Sequence, residues 1–231
     1  MPNTVGLDLT GVLITPGVPP AGIGALLGAW LQQTGNSVVL LGRSGLFSSD
    51  HPEVLMSDSP VSMVRCDITS REEAAGFLGP CGNHPLAGIM HAGGVLVDSI
   101  LLKQTAASLR QVFAPKLAVM LSVQSLAAAQ PVVNVNLFSS VSAFLGSPGQ
   151  ANYAAANLAL GAWSQTLQGS GLAGSNIQWG AWVDVGMAHQ NAAVLSRVEK
   201  SGLGLVQPRR GLAALGGVLG QAVAGGMVQV G

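Results

Sequence analysis

From Leu117 to Val183 the chain carries no Asp, Glu, Lys or Arg. Over the whole sequence charged residues reach only 9%, against roughly 25% in an average soluble domain. Asn, Gln, Ser, Gly and Pro interrupt the uncharged run, so no unbroken span of about 18 to 20 apolar residues is expected and a membrane reading fails. The better reading is a surface partly covered by something else, which would leave the isolated chain poorly soluble. A helix is expected from Tyr153 to Leu167 with no charge on any face. Helices of that kind are buried on both sides. One side would pack on a sheet and the other on a partner domain or a second copy, so an oligomer through this helix is possible.

The same stretch holds three residues whose spacing suits one reaction. Ser140 ends an apolar run, Tyr153 follows thirteen residues later, and Asn157 lies one helical turn beyond it. Reducing a ketone by hydride requires a proton at the oxygen as negative charge develops, and a tyrosine hydroxyl with an ordinary pKa of about 10 is too weak an acid alone. A nearby ammonium favours the phenolate and lowers that pKa. Lys116 is the only Lys or Arg between Arg110 and Arg197, which makes it the main candidate. Ser140 can donate a hydrogen bond to the reacting oxygen. Asn157, at i+4 from Tyr153, can hold a relay water or the lysine. Ser139 is expected to be a structural neighbour.

The segments His91-Ala92-Gly93-Gly94-Val95-Leu96, Pro115-Lys116, Leu137-Phe138-Ser139-Ser140-Val141, Gly149-Gln150-Ala151-Asn152-Tyr153-Ala154-Ala155-Ala156-Asn157 and Trp179-Gly180-Ala181-Trp182 together carry a resemblance. The chain resembles the short-chain dehydrogenase/reductase superfamily, and within it the ketoreductase domain of modular polyketide synthases and animal-type fatty acid synthases. Most of that superfamily has its lysine four residues after the tyrosine. Here Asn157 holds that place and a lysine precedes the serine by twenty-four residues, the exchange that marks the synthase ketoreductases. The resemblance covers nearly the whole chain. It implies an NADPH-dependent reductase of a β-ketoacyl thioester tethered to an acyl carrier protein, cut from a larger synthase whose neighbouring domains are its partners. Synthase ketoreductases usually carry a degenerate structural subdomain before the catalytic one, and none is expected here.

Length and charge agree with that class. A chain of 231 residues can bury one substantial α/β core without a second domain. The formal net charge is zero, from ten basic and ten acidic residues, so no basic block is available for nucleic acid or an anionic membrane. Cys66 and Cys81 have neither metal spacing nor a disulfide framework and suit a reducing compartment. With no secretion signal expected, the cytoplasm is the anticipated location, or a plastid if the parent protein has a transit peptide.

The fold expected over residues 1–231 is a single Rossmann-type α/β domain, a doubly wound parallel sheet in three α/β/α layers. Gly11 to Thr15 reads as the first strand, and Ile23 to Leu31 has helical spacing. Strand, glycine turn and helix open a dinucleotide-binding fold, where N–H groups at the helix start hold the pyrophosphate. Thr15, Gly17, Gly22, Ile23 and Gly24 are the candidate contacts, although the turn departs from T-G-x-x-x-G-x-G by inserted residues and three prolines. A plain loop is the alternative. Val38 to Leu41 is the second strand, followed by Arg43 and Ser44. An arginine there can pair with a 2′-phosphate, which favours NADPH; an exposed loop arginine is the other reading. Val61 to Cys66 is the third strand. Asp67 and Ile68 match the family position where an aspartate contacts adenine, while Thr69 and Ser70 can cap a helix. Leu86 to Met90 delivers His91, Ala92 and Gly93, which by resemblance pass under the nicotinamide ribose. Taken alone, His91 is more often a packed histidine.

On the substrate side, Leu96-Val97-Asp98 resembles the leucine-aspartate-aspartate signature of ketoreductases that make the D (3R) alcohol, with Val97 in place of the first aspartate. The other stereochemical class has a tryptophan where this chain has Leu145. Thr105 to Val112 and Pro115 to Gln130 read as two helices, Val132 to Phe138 and Asn176 to Trp179 as strands. Gln150 lies on the approach to the tyrosine. Trp182 and Met187 fall in a segment that resembles the family's lid, with Met187 a candidate for touching the acyl chain. A last helix is expected from Leu212 to Ala224 and a strand from Val228 to Val230. Two rival readings stand: a cofactor-free docking remnant, motivated by the prolines of the glycine turn, and a free-standing reductase of small ketones.

Overall fold

The computed structural model describes residues 12–15, 22–44, 61–77, 85–189, 192–220 and 227–230. Seven strands form one sheet: β1 (Val12–Thr15), β2 (Val38–Gly42), β3 (Val61–Arg65), β4 (Gly88–His91), β5 (Asn134–Ser140), β6 (Ala173–Trp179) and β7 (Met227–Val230). Their order is β3-β2-β1-β4-β5-β6-β7, with every neighbouring pair parallel. Chain direction across the sheet reverses between β1 and β4. In open α/β sheets ligands bind at such a reversal, outside the carboxyl ends of the strands.

Both faces of the sheet are covered, and β2 reads as the continuous apolar run expected of such a strand, while β5 and β6 also bury Asn134, Asn136, Asn176 and Gln178. Successive side chains go to opposite faces. Val38 and Leu40 join a cluster with Leu27, Leu31, Leu215 and Leu219, while Leu41 joins one with Val119, Val123, Leu126 and Leu160. Ile89 and Met90 divide in the same way, as do Leu137 and Phe138. Helix α1 (Ile23–Gln33) therefore shares one face with the late helix Pro208–Gly220, while the helices that carry Val119 to Leu126 and Leu160 lie on the other. The first strand is described from Val12 on; the expected Gly11 lies outside the described residues, as do Gly17, the turn's prolines and Cys81.

Helix α2 (Arg71–Phe77) begins as the polar run predicts, with Ser70 Oγ accepting from Glu73 N at 3.3 Å. The next two expected helices are one. Helix α3 (Ala106–Ala129) starts with a reciprocal Thr105–Ser108 cap and runs on through Pro115. Its middle, Ala114–Ala118, is a π-helical turn. Proline has no N–H to donate, and a widened turn accommodates that loss without ending the helix. At 24 residues α3 is, by length and composition alone, apolar enough to cross a membrane, although Arg110, Lys116, Ser122 and Gln124 interrupt it, so it is not an unbroken apolar span. Its buried residues, Val112, Val119, Met120, Val123, Leu126 and Ala127, form the stripe of a core helix against the sheet.

A short helix α4 (Ser142–Leu145) leads to α5 (Ala151–Gly169). The chain covers one side of α5 only, the side of Asn152, Ala156, Asn157, Leu160, Gly161, Ser164 and Leu167, while Leu158 is 59% exposed. The expected burial on both sides is therefore not seen among the described residues. Beyond β6 lie α6 (Gly186–His189), α7 (Ala192–Lys200) and α8 (Pro208–Gly220). Trp182 is 1% exposed and packs edge-on against Trp179, with ring centroids 4.9 Å apart. On its other side it lies on Gly211, where an added Cβ would come within 2.2 Å of the indole.

Candidate active site

The carboxyl end of β5 presents Ser139 and Ser140 together, and the pleat separates them. Ser139, 5% exposed, donates from Oγ to the Asn157 carbonyl at 3.0 Å and so ties β5 to α5. Ser140 faces a cavity of about 500 Å³ and accepts from Ser142 N at 3.2 Å. Tyr153 sits in the first turn of α5 and lines the same cavity. Asn157, one turn later and fully buried, donates from Nδ2 to the Tyr153 carbonyl at 2.9 Å. Its Oδ1 has no partner among the described residues.

Lys116 reaches this group from the π turn of α3. Its side chain is 3% exposed, lines the cavity, and donates from Nζ to the Phe138 carbonyl at 2.7 Å. The amine passes directly over Gly94, where an added Cβ would lie 3.0 Å from Lys116 Cε. The structure thus brings Lys116, Ser140, Tyr153 and Asn157 into one cluster.

The electrostatics depart from the expected direction. Burial pushes the Tyr153 phenol up, Asn157 and Ser140 pull it back through hydrogen bonding, and the Asp98 carboxylate adds to the rise. By accessible surface the ring is only half-buried, so water moderates that push. Burial also brings Lys116 down to about 7. At the pH where the phenol ionises, the amine is already neutral and exerts no pull. In the chain taken by itself Lys116 is not among the causes acting on Tyr153, and burial with Asp98 outweighs Asn157 and Ser140, so the expected lowering does not appear. A neighbour that keeps the amine protonated restores it.

The cofactor candidates share one edge of the sheet. Thr15 ends β1, Arg43 and Ser44 follow β2, Asp67 and Ile68 follow β3, and His91, Ala92 and Gly93 follow the chain out of β4. Helix α1 begins at Gly22 with no side-chain cap, and Gly24 is buried behind it. A helix start without a side-chain cap is a place where an anion can be held. Ile23 lies half-buried at the same start and reaches across to Gly186, where an added Cβ would sit 3.3 Å away. Arg43 is exposed and makes no ion pair among the described residues. Gly93 is tightly packed, since an added Cβ would approach His91 Cε1 to 3.0 Å and the ring would have to give by a few tenths of an ångström. An uncapped helix start, an exposed arginine and a tight glycine at the sheet's reversal fit a phosphorylated dinucleotide.

Three of these residues read differently in three dimensions. His91, 1% exposed, is hydrogen-bonded through Nδ1 to Thr15 Oγ1 at 2.6 Å. Burial, then the Lys116 charge, bring it down to about 3 against a small opposing pull from the Pro115 carbonyl. It is a packed, neutral histidine. Ile68, 7% exposed, belongs to the core cluster, so only its backbone can meet a ligand. Asp67 accepts through Oδ1 from both the N–H and the hydroxyl of Thr69, at 3.0 and 2.7 Å, which organises the turn into α2.

With the geometry set out, residues 11–184 match the family model described as the KR domain. This chain belongs to the ketoreductase (KR) domain family. It is 33% identical over 217 residues to a phenolphthiocerol/phthiocerol polyketide synthase of Mycobacterium tuberculosis, covering 90% of this chain and 9% of that protein. It is 35% identical over 185 residues to the polyketide synthase GfsB of Streptomyces halstedii, covering 79% of this chain and 3% of that protein. Among solved structures, an A1-type ketoreductase superposes with a TM-score of 0.85 at 29% identity, over 95% of this chain and 47% of the other. A structure of A-type ketoreductases from a modular polyketide synthase gives 0.84 at 29%, over 93% and 46%. The KR domain described here spans less than a tenth of these two curated relatives and about half of these solved chains.

The remaining cavity wall divides the expected substrate residues of this KR domain. Leu96, Gln150, Trp182 and Met187 line it; Asp98 does not. Asp98 stands behind Gln150 and accepts from its Nε2 at 3.1 and 3.3 Å. The far wall was not anticipated. It comes from α7 and the turn after it, through Val194, Arg197, Val198, Ser201 and Leu203. The i, i+4 pair Val194 and Val198 is the sequence signal that could have shown this helix to have an inward face.

Proposed function

We propose that this KR domain reduces the β-keto group of an acyl thioester presented by an acyl carrier protein, with NADPH as the reductant and a D (3R) alcohol as the product. The observation that supports it is the convergence of Tyr153, Ser140 and Lys116 on one cavity at the carboxyl ends of the strands, beside the sheet's reversal. NADPH, when bound, supplies the hydride. The residues that would hold it are Thr15, Gly22, Ile23 and Gly24, with Arg43 and Ser44 toward the 2′-phosphate, Asp67 toward adenine, and Ala92 and Gly93 along the ribose.

Tyr153 gives its proton to the carbonyl oxygen as charge builds there. Ser140 donates a hydrogen bond to the same oxygen and fixes its direction. Lys116, protonated, stabilises the phenolate left behind. Asn157 is tied to β5 at its carbonyl by Ser139 Oγ, donates within α5 to the Tyr153 carbonyl and leaves its Oδ1 for a water or the lysine. Leu96-Val97-Asp98 and the absence of tryptophan at Leu145 support the D (3R) product. Other synthase domains and the carrier protein are the partners this reading requires.

Titrating the purified chain with NADPH and following nicotinamide fluorescence tests the reading. Saturable binding, followed by oxidation of NADPH on adding a β-ketoacyl thioester, is the expected result. A folded chain that binds no NADPH overturns it and favours a docking remnant.

A further inference from the structure

Arg197 sits on α7, beyond the residues that match the KR model. Its guanidinium crosses the cavity mouth to two loops at once. It donates to the Pro148 carbonyl at 2.7 Å and forms an ion pair with Asp98, which is the ion pair among the described residues. Gln150, 5% exposed, donates to the same carboxylate, lines the cavity and immediately precedes α5. One line of contacts thus runs from α7 through Asp98 to the start of the helix that carries Tyr153.

The segment bearing α7 is built as an excursion with a fixed base. Val183 N donates to the Val206 carbonyl at 2.9 Å, and Val206 N donates to the Ala181 carbonyl at 2.8 Å. Between these ties the chain turns through left-handed residues at both ends of the excursion, Asp184 at φ 60° and Gly186 at φ 82° on the way out and Gly202 at φ 72° on the way back. Asp is among the few side chains that adopt this conformation readily. The base holds the segment to β6, and Arg197 holds its outer part to the opposite rim.

We propose that Arg197 is a positioning residue that latches α7 across the cavity mouth through Asp98 and Pro148, and so sets both the entry of the acyl substrate and the placement of Gln150. Asp98 then acts by holding the latch and Gln150, not by touching substrate. The kinetic consequence rests on the reductase reading above, but the latch itself does not.

The test uses the purified chain with Arg197→Ala, Arg197→Lys, Asp98→Asn and the Arg197→Ala/Asp98→Asn double variant. Without substrate, amide hydrogen exchange across residues 186–206 should quicken about fivefold in Arg197→Ala, the scale of one partly exposed ion pair. Arg197→Lys should recover part of that protection. The double variant should add little to either single one. With a short β-ketoacyl N-acetylcysteamine thioester, KM should rise about fivefold in Arg197→Ala, while kcat and the KM for NADPH stay within twofold. Unchanged exchange, additive single effects, or a loss confined to kcat would each overturn the proposal. A wild-type chain that turns nothing over would defeat the reductase reading alone, because the exchange measurement still decides the latch.

Discussion

Replacing Gly94 by Ala places a Cβ 3.0 Å from Lys116 Cε and 3.5 Å from both Lys116 Nζ and Met187 Cε. Carbon atoms in contact prefer about 3.5–4.0 Å, so something must retreat by about half an ångström or more. The Met187 methyl ends a flexible chain and can swing aside. Lys116 cannot do so freely, because it is 3% exposed and its amine is held at 2.7 Å by the Phe138 carbonyl. Overpacking of this kind costs about 1–3 kcal/mol, and in a chain of this size each kcal/mol lowers Tm by about 2–4 °C. A lysine displaced by about 1 Å from the phenol it serves can lower turnover by about a hundredfold. Gly94→Ala should therefore melt a few degrees lower and lose much more activity than that loss of stability explains, measured by thermal unfolding and by NADPH oxidation at a temperature where both proteins are folded. A variant with unchanged Tm and unchanged turnover would refute the claim that close approach over Gly94 sets the lysine's position.

Three further outcomes follow from the same geometry. Because burial brings Lys116 to about 7 and the ammonium is the form proposed to act, turnover should fall as pH rises through about 7; Lys116→Arg, which stays charged, should flatten that limb, and an identical limb in the variant would contradict the assignment. His91 is held neutral down to about 3 against an ordinary 6.5, so the unfolded chain takes up a proton first, and folding stability present above pH 6.5 should be lost as pH falls toward 3. Thermal melts at pH 7.5 and 4.5 should show a smaller drop for His91→Gln than for wild type. Ser140→Ala should lose turnover with little change in Tm, whereas Ser139→Ala, which removes the bond to the Asn157 carbonyl, should cost about 1 kcal/mol of stability; equal kinetic effects of the two would remove the distinction drawn between them.

Much of this arrangement could be read from the chain before folding. Parallel strands buried on both faces favour continuous apolar runs, which is why β2 stands out, whereas β5 buries Asn134 and Asn136 and is legible mainly from Leu137-Phe138 and the serines that follow. Ser140, Tyr153 and Asn157 lie on two adjacent elements, so their spacing alone nearly determines their convergence. Lys116 was legible as an isolated cation, yet the π turn that aims it inward was not, since Pro115 reads as a helix start as readily as a proline accommodated within a helix. The direction of the Tyr153 shift depends on how much of the ring and of the lysine is buried, and burial is a property of the assembled cavity. Arg197 was passed over because its meaning comes from Asp98, ninety-nine residues away. The uncharged α5 suggested burial on both sides, but composition does not say which face is covered; among the described residues Leu158 is 59% exposed, so that face of the helix is open.

The most direct measurement is single-turnover reduction of a β-ketoacyl thioester by Tyr153→Phe beside the wild-type chain, both saturated with NADPH as judged by nicotinamide fluorescence. Phenylalanine keeps the ring and removes only the hydroxyl that delivers the proton. The account predicts unchanged NADPH binding and a rate lower by at least about a hundredfold. Equal rates in the two proteins would contradict it.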